Sequence, residues 1–148
     1  MSLLCAAAIA LALPAFAQSP AKAQEMAIKY RQAAFTLMGA HFGALAAMAK
    51  GKVPFDAKVA TDNANLAVQL SRLPFSHFIP GSDKGHTAAL PKIWTEKDKF
   101  EAKAKTMQDA MVKVDEAAKA GNLEAFKSAV GETGKACKSC HDDYRKES

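Results

Sequence analysis

The stretch Cys137-Lys138-Ser139-Cys140-His141 lies near the end of a 148-residue chain, and the fold is best understood as built around it. A Cys-x-x-Cys-His sequence is the attachment signature of c-type haem. On a helix, residues i, i+3 and i+4 share one face, so Cys137, Cys140 and His141 project together. Two thiols can then form thioethers to the haem vinyl groups, while the imidazole supplies an axial iron ligand. The motif predicts one covalently attached haem c with His141 as the metal ligand.

Three other uses of the cysteine pair remain as weaker alternatives. A thioredoxin-like redox pair accompanies a strand–helix–strand pattern, which this sequence does not show. A structural zinc site usually has two spaced pairs of ligands, whereas the other histidines here are scattered. A disulfide between residues three apart on one helix is geometrically unfavourable. The haem interpretation is favoured, provided that the chain is exported.

The first 17 residues indicate export. They carry no charge and consist mostly of Leu and Ala, with an apolar run over 3–13 that is too short to span a bilayer. Pro14 interrupts this run, and Ala15-Phe16-Ala17 is a small-x-small cleavage site. We expect residues 1–17 to be a cleaved secretory signal peptide. Residues 18–148 would then form a single haem domain in the periplasm, without a membrane anchor.

Cysteine content and charge fit such a domain. Cleavage would remove Cys5 and leave only the two cysteines of the motif, as suits an oxidising compartment. The net charge of +5 comes from 20 basic and 15 acidic residues, which are intermixed along the chain. No dense basic run with interleaved aromatic residues supports nucleic-acid binding. We expect the charge to serve solubility, or docking to an acidic periplasmic redox partner that the sequence does not identify.

Apolar residues recur at spacings of three and four in four stretches, a pattern typical of helices packed in a bundle. Asp56, Thr95 and Asn122 are the expected N-caps of the later three helices. Between the second and third stretches, a loop rich in proline, glycine and aromatic residues is expected to lack regular structure and to cover something apolar, for which a haem edge is the candidate. The sequence predicts an all-α, antiparallel four-helix bundle. The expected helices span 21–50, 56–73, 96–120 and 123–146, and the loop spans 74–94.

Some residues on these helices carry further expectations. Val59, Leu66, Leu70 and Leu73 form the expected core face of the second helix, with Asn63 at a polar contact or a shared interface. Gly131 and Gly134 precede the motif within the fourth helix, where glycine is unfavourable. They therefore predict close approach of a neighbouring helix or of the porphyrin. Lone loop histidines, here His77 and His86, are expected to be solvated rather than to act as ligands.

Arg31 interrupts the apolar stripe of the first helix, and two interpretations stay open. Its stem could pack while its charged end reaches solvent at the end of the bundle. Alternatively, its guanidinium could meet a buried anion, for which a haem propionate is the candidate.

The residues alone also do not decide what occupies the sixth coordination position of the iron. Only seven residues follow His141, so a second ligand would have to come from upstream. The first helix offers Phe35 and Met38 on its stripe, with His41 at the flank. Phe35 cannot bind iron and would leave a shielded, open site for small apolar gases. Met38 or His41 would close the site and make the protein an electron carrier.

Three segments together resemble the cytochrome c′ family, the class II c-type cytochromes built on a four-helix bundle. They are Cys-Lys-Ser-Cys-His-Asp-Asp-Tyr-Arg at 137–145, Tyr30-Arg31-Gln32, and the Phe-rich loop ending in Ile93-Trp94. The resemblance covers nearly the whole mature chain, and its C-terminal motif is the specific part.

The resemblance implies particular roles for particular residues. The thioether cysteines would be Cys137 and Cys140, with His141 as the proximal ligand. Phe35 falls at the distal position, where relatives often carry Leu or another apolar residue. The remaining implied haem contacts are Arg31, Gln32, Thr87 and Arg145, the last of which lies near the proximal histidine in this family.

The resemblance also implies a function. Family members usually have five-coordinate iron, bind nitric oxide and carbon monoxide, and form homodimers through their first two helices. Proposed roles are nitric oxide sequestration and electron transfer, and no catalytic site is implied. The alternative is a six-coordinate, low-spin electron carrier with Met38 as the sixth ligand, as in the low-spin class II relatives.

Overall fold

The computed structural model describes residues 19–147, so the expected signal peptide, including Cys5, lies outside the described residues. Over this range the chain forms helices and no strands, which confirms the all-α prediction. The only strand-like pairing among these residues is an isolated antiparallel bridge between Ala89 and Arg145. The helices are α1 (Pro20–Ala49), α2 (Ala57–Leu70), α3 (Lys92–Thr95), α4 (Lys97–Lys119) and α5 (Leu123–Tyr144), with a 3₁₀ turn at Phe75–His77.

The four long helices close into a ring. Helix α1 packs on α2, α2 on α4, α4 on α5, and α5 returns to α1. Because consecutive long helices are neighbours, the arrangement is the predicted antiparallel four-helix bundle. The contact between α1 and α5 is the sparsest of the four, so the bundle is least tightly closed there. None of the described helices is both long and apolar enough to cross a membrane.

Local capping explains most of the helix boundaries. The carboxylate of Asp56 accepts a 2.9 Å hydrogen bond from the backbone N–H of Val59, and the side chain of Asn122 caps α5 in the same way. Both N-cap predictions are confirmed. The prediction for Thr95 is wrong, because Thr95 lies inside α3 and Glu96 precedes α4 without a side-chain cap.

The segment between α2 and α4 is more regular than expected. The prediction that residues 74–94 lack regular structure is wrong at both ends, where the 3₁₀ turn and α3 form. Trp94 belongs to α3, and its indole N–H donates a 2.9 Å hydrogen bond to the carbonyl of Ile79. This bond ties α3 back to the loop, which we call the capping loop (residues 74–91).

Helix α2 buries a different face from the one expected. Its buried residues are Ala60, Ala64 and Ala67, whereas Val59 and Leu66 are 43% and 44% exposed. The helix also ends at Leu70 rather than Leu73. Alanine methyl groups allow α1 and α4 to approach the α2 backbone closely. The predicted core face of α2 is wrong at Val59, Leu66 and Leu73, which are exposed, whereas Leu70 is half-buried and packs against the core as expected.

The bundle core consists of two separate clusters of buried side chains. The larger cluster joins α1, α2, α4 and α5 and includes Leu45, Met111 and Phe126, which are fully buried. The smaller cluster, formed by Ile93, Phe100 and Tyr144, lies under the capping loop. The two clusters do not merge, because a large cavity is lined by residues of both.

Replacing Leu45 with Ala is expected to lower the free energy of unfolding of the haem-loaded protein by about 2–5 kcal/mol. The side chain is fully buried in the larger cluster and does not line the cavity, so its loss leaves a new void. Chemical denaturation measures the change. The control is Val53→Ala, at a residue 44% exposed, which should stay within about 0.5 kcal/mol of the unaltered protein. Equal effects of the two substitutions would contradict this description of the core.

Candidate haem-binding site

The cavity between the two clusters has a volume of about 870 Å³. This lies within the range of roughly 300–1,000 Å³ that is typical of ligand and cofactor sites. Its walls come from α1, the capping loop, α4 and α5, and most of the lining surface is apolar. The sparse contact between α1 and α5 leaves room for the cavity between these two helices. The cavity occupies a position where a solid bundle would have core side chains.

The motif residues converge on this cavity. Cys137, Cys140 and His141 all line it from α5, and both thiols are free and half-buried. Burial raises the pKa of both thiols, that of Cys140 to about 11. Burial and then the charge of Arg145 lower the pKa of His141, against an opposing effect of Asp142. The lowered pKa favours the neutral imidazole, which is the form that binds metal ions.

The donor set fits a c-type haem. Two thiols and one imidazole open from a single helix face into an apolar space, which is the chemistry that thioether attachment and axial ligation require. Among residues 19–147, no group of three or more His, Cys, Asp or Glu side chains is arranged to hold a metal ion by itself. This observation argues against the zinc alternative within the described residues, since protein side chains alone would have to complete such a site.

A lysine fixes the motif helix to its neighbour. The ammonium group of Lys103 on α4 donates hydrogen bonds of 2.6 Å to the Ser139 hydroxyl and 2.7 Å to the Asp143 carboxylate. The bond to Asp143 raises the pKa of Lys103 and lowers that of Asp143. These contacts flank Cys140 and His141, so they hold the motif turn in register with α4. Sequence reasoning missed Lys103, because one lysine among many in an amphipathic helix carries no distinguishing signal.

Arg31 does not reach solvent. It is 2% exposed and lines the cavity, so the interpretation in which its charged end is solvated is wrong. Its guanidinium donates hydrogen bonds of 2.7 Å to both the hydroxyl and the carbonyl of Ser82, and one of 2.9 Å to the Thr87 hydroxyl. It also donates to the carbonyl of His77 and lies 4.5 Å from the centre of the Phe78 ring.

Arg31 has polar hydrogen-bond partners but forms no ion pair with any of the residues that the structure describes. Desolvation lowers the pKa of Arg31, and the charge of Asp83 partly offsets this effect. An arginine stays protonated in proteins, so the cavity wall contains a buried positive charge. The carbonyls and hydroxyls of the capping loop solvate this charge, and a carboxylate in the cavity would neutralise it. Sequence reasoning missed Ser82, because its role depends on contact with a residue 51 positions away.

The other expected polar contacts also border the cavity. Gln32, Thr87 and Arg145 line it. The amide of Gln32 donates a 2.9 Å hydrogen bond to the carbonyl of His86, and the Thr87 hydroxyl accepts from both Arg31 and Ala89. The side chain of Arg145 is exposed at the cavity. Gln32 and Thr87 therefore connect α1 with the capping loop at the edge of the cavity, and Arg145 lies beside it at the end of α5.

The end of α5 is joined to the capping loop through the backbone. Leu90 donates a 3.0 Å hydrogen bond to the carbonyl of Tyr144, and Lys146 donates a 2.8 Å bond to the carbonyl of Ala88. The capping loop is thus held by α1 through Arg31 and by α5 through these two bonds. It covers the smaller cluster, as its aromatic content suggested.

Of the three residues considered for the sixth coordination position of the iron, two line the cavity and one does not. Phe35 and Met38 line the cavity from α1, and the Phe35 ring packs edge-on against Phe75. His41 does not line the cavity, since its ring nitrogen lies 3.0 Å from the side-chain oxygen of Asn63 on α2. His41 is therefore directed toward α2, and Asn63 makes a polar contact between the first two long helices.

Two further expectations concern glycine and histidine. Nothing lies within 4 Å of the position that a Cβ atom would take at Gly131 or Gly134, so close approach of a neighbouring helix is wrong. Gly134 instead leaves space in the wall of the cavity. The ring of His77 stacks on Tyr30 at 3.7 Å between ring centres and is partly exposed, and it does not line the cavity where a ligand would lie. His86 is exposed, as expected.

Comparisons with known proteins also identify relatives that are c-type haem proteins. A family model described as cytochrome c′ matches residues 26–145. The cytochrome c′ of Rubrivivax gelatinosus is 53% identical over 120 residues, which are 80% of this chain and 93% of the relative. Its crystal structure aligns with a TM-score of 0.78, over 81% of this chain and 94% of that one.

Two other solved structures are similar over most of the chain. Cytochrome c prime from Shewanella frigidimarina is 47% identical with a TM-score of 0.81, over 84% of this chain and 97% of that one. A nitric oxide complex of a cytochrome c prime mutant from Alcaligenes xylosoxidans is 42% identical with a TM-score of 0.80, at the same coverage.

The fold, the cavity and the motif define a c-type haem protein of the helical-bundle class. Within that class, the chain belongs to the cytochrome c′ family.

Replacing Arg31 with Met is expected to lower the free energy of unfolding by about 1–3 kcal/mol, because it leaves the buried hydroxyl and carbonyl oxygens of Ser82 without their donor. Hydrogen exchange of the amides in 82–90 should accelerate in the same variant, since the loop loses its attachment to α1. The control is Arg72→Met, which removes an exposed arginine and should change neither quantity. Unchanged exchange in the Arg31 variant would contradict a role of this residue in holding the loop.

Proposed function

We propose that this protein is a periplasmic haem c protein with five-coordinate, His-ligated iron that binds small gases. Cys137 and Cys140 would hold the single haem through thioethers, and His141 would bind the iron. The observation that carries the proposal is that an apolar side chain, Phe35, lines the same cavity as this motif. The bound haem would supply an iron atom able to take up a neutral gas at an open position, or to exchange one electron.

The protein's own residues would determine what reaches the iron. The rings of Phe35, Phe75 and Phe78 form a continuous apolar wall, with centre-to-centre distances of 5.8 to 6.5 Å. Water and anions lose hydrogen bonds when they enter such a space, whereas nitric oxide and carbon monoxide lose little. Phe35 would therefore exclude polar ligands and admit apolar gases.

Polar residues at the rim would orient the haem. The buried charge of Arg31 would pair with a haem propionate, and Gln32 and Thr87 would contribute hydrogen bonds beside it. Arg145, exposed at the cavity near His141, would place a positive charge close to the proximal ligand. These roles rest on the lining of the cavity and on the chemistry of each group.

The alternative is a low-spin electron carrier in which Met38 is the sixth ligand. Met38 lines the cavity, which keeps this alternative possible. It is also 9% exposed and packs in the larger core cluster, so its burial is explained without an iron bond. The packing therefore favours Met38 as a core residue and Phe35 as the residue beside the open position.

The function would be nitric oxide sequestration, electron transfer, or both. The nitric oxide complex of the Alcaligenes xylosoxidans protein supports nitric oxide as a ligand. Carbon monoxide would bind in the same way, and the electron partner would be a periplasmic protein still to be identified. We infer that the protein is not an enzyme. Within the described residues, the Ser139 hydroxyl accepts a hydrogen bond from Lys103 and is not bonded to a histidine base that could activate it.

Visible spectra of the matured protein test the coordination of the iron. The reduced form is expected to be high-spin and to shift on addition of carbon monoxide, and Met38→Leu should leave both spectra unchanged. Phe35→Ala should change carbon monoxide affinity, because it removes the ring beside the open position. The electron-carrier alternative would instead be established by a low-spin reduced spectrum that does not change on addition of carbon monoxide and that becomes high-spin in Met38→Leu.

We further propose a homodimer formed through α1 and α2. Large apolar side chains are exposed along one flank of each helix at spacings of four and seven, which keeps each set on one face. Such patches on adjacent helices are typical of protein interfaces. The exposed residues are Met26, Tyr30 and Leu37 on α1, and Val59 and Leu66 on α2, with Leu73 just beyond the end of α2.

Replacing Leu66 with Glu is expected to convert the dimer into a monomer, because a charge at a desolvated interface is unfavourable. Sedimentation velocity measures the mass, and the haem spectrum shows whether the bundle is intact. The control is Val53→Glu, which alters a residue of equal exposure outside the two helices and should leave the dimer intact. A Leu66 variant that keeps the dimer mass would exclude this face.

Residues 1–17 are proposed to direct export and to be removed, leaving 18–148 as the mature haem domain. The composition of the segment supports this proposal. Mass spectrometry of the exported protein would show the cleavage position and the mass of one attached haem.

A further inference from the structure

A second, smaller cavity of about 430 Å³ lies between the capping loop and α4. Its inner part is apolar and includes Phe75, Phe78 and Ala104. Its outer part is polar, with Lys97 and Glu101 forming an exposed ion pair of 3.6 Å. The haem motif does not line this cavity, and none of the functions proposed above uses it.

The two cavities share a wall that is one side chain thick. Phe75, Phe78 and Ala104 line both spaces, so each has one side toward the haem cavity and the other toward the second cavity. Phe75 also contacts Phe35, at 5.8 Å between ring centres. The shared wall therefore lies beside the residue proposed to flank the open iron position.

The two rings of this wall are held differently. Phe78 lies against the Arg31 guanidinium at 4.5 Å and against the Trp94 ring at 5.8 Å, and Arg31 also binds the carbonyl of the adjacent His77. The Phe75 ring lies in the 3₁₀ turn against the rings of Phe35, Phe78 and Phe100 and against the larger cluster. Both Phe75 and Phe78 are half-buried, but of these two rings only that of Phe78 has a cation over it among the described residues. Phe75 lacks the guanidinium contact that fixes Phe78, so Phe75 is the less restrained part of the wall.

We propose that the second cavity is a side entrance for small apolar gases, gated by the ring of Phe75. A diatomic gas would collect on the apolar inner surface and pass to the haem cavity when the Phe75 ring moves. Water and anions would be retained at the polar rim, because passage between the rings offers them no hydrogen bonds. This proposal rests on the proposed gas-binding function and specifies the route by which the gas arrives.

The test blocks the second cavity without altering the haem cavity. Glu101 lines only the second cavity, so Glu101→Trp should fill it from outside. In the haem-loaded, reduced protein, we expect carbon monoxide to associate about fivefold more slowly in this variant. The control is Glu116→Trp, at another exposed glutamate on α4 that lines neither cavity, and its association rate should be unchanged.

A structural readout accompanies the kinetics. Crystals of the unaltered protein under xenon should show the gas against the Phe75 and Phe78 rings in the second cavity, because xenon binds apolar cavities. Crystals of Glu101→Trp should show no xenon there. Equal association rates for the two tryptophan variants, or no xenon at this position in the unaltered protein, would overturn the side entrance.

Failure of the side entrance and failure of gas binding give different results. If both tryptophan variants bind carbon monoxide at equal rates, the proposed gas-binding function stands and only the side entrance is overturned. If the reduced spectrum does not change on addition of carbon monoxide, the proposed gas-binding function is itself overturned, and the side entrance with it.

Discussion

The cavity that divides the core is the constraint on which the rest of this structure depends. Four amphipathic helices would normally bury one continuous core, yet here the larger cluster and the cluster under the capping loop remain separate. Helix α5 meets α1 only sparsely, and Gly134 adds space where a side chain would otherwise project. A flat apolar group attached to α5 would restore the missing packing, so the haem would complete the core as well as provide the reactive centre.

The capping loop depends on a buried charge. Arg31 lies on the stripe of α1 that is otherwise apolar, and its guanidinium donates hydrogen bonds to Ser82, Thr87 and His77. A buried guanidinium is costly unless each donor finds a partner, so the loop must take the conformation that supplies those partners. The same loop is bonded to the end of α5, which links the first helix, the loop and the motif helix in one network.

Much of the fold and part of the candidate site could be predicted, because they depend on local patterns. The spacing of apolar residues predicted the four long helices, and Asp56 and Asn122 marked the starts of two of them. The core face of α2 could not be predicted in this way. Its buried residues are alanines, and whether Ala60 or Val59 faces the core depends on how closely the neighbouring helices approach.

The sequence by itself determined the chemistry of the protein: two cysteines and a histidine at helical spacing, within a chain of amphipathic helices. These features depend on separations of three and four residues, which the geometry of one helix fixes. Only the tertiary structure decided the surroundings of that motif. The ties of Lys103 to α5 and of Arg31 to the capping loop join residues 36 to 56 positions apart. No local periodicity records such contacts, because they form only when the helices pack.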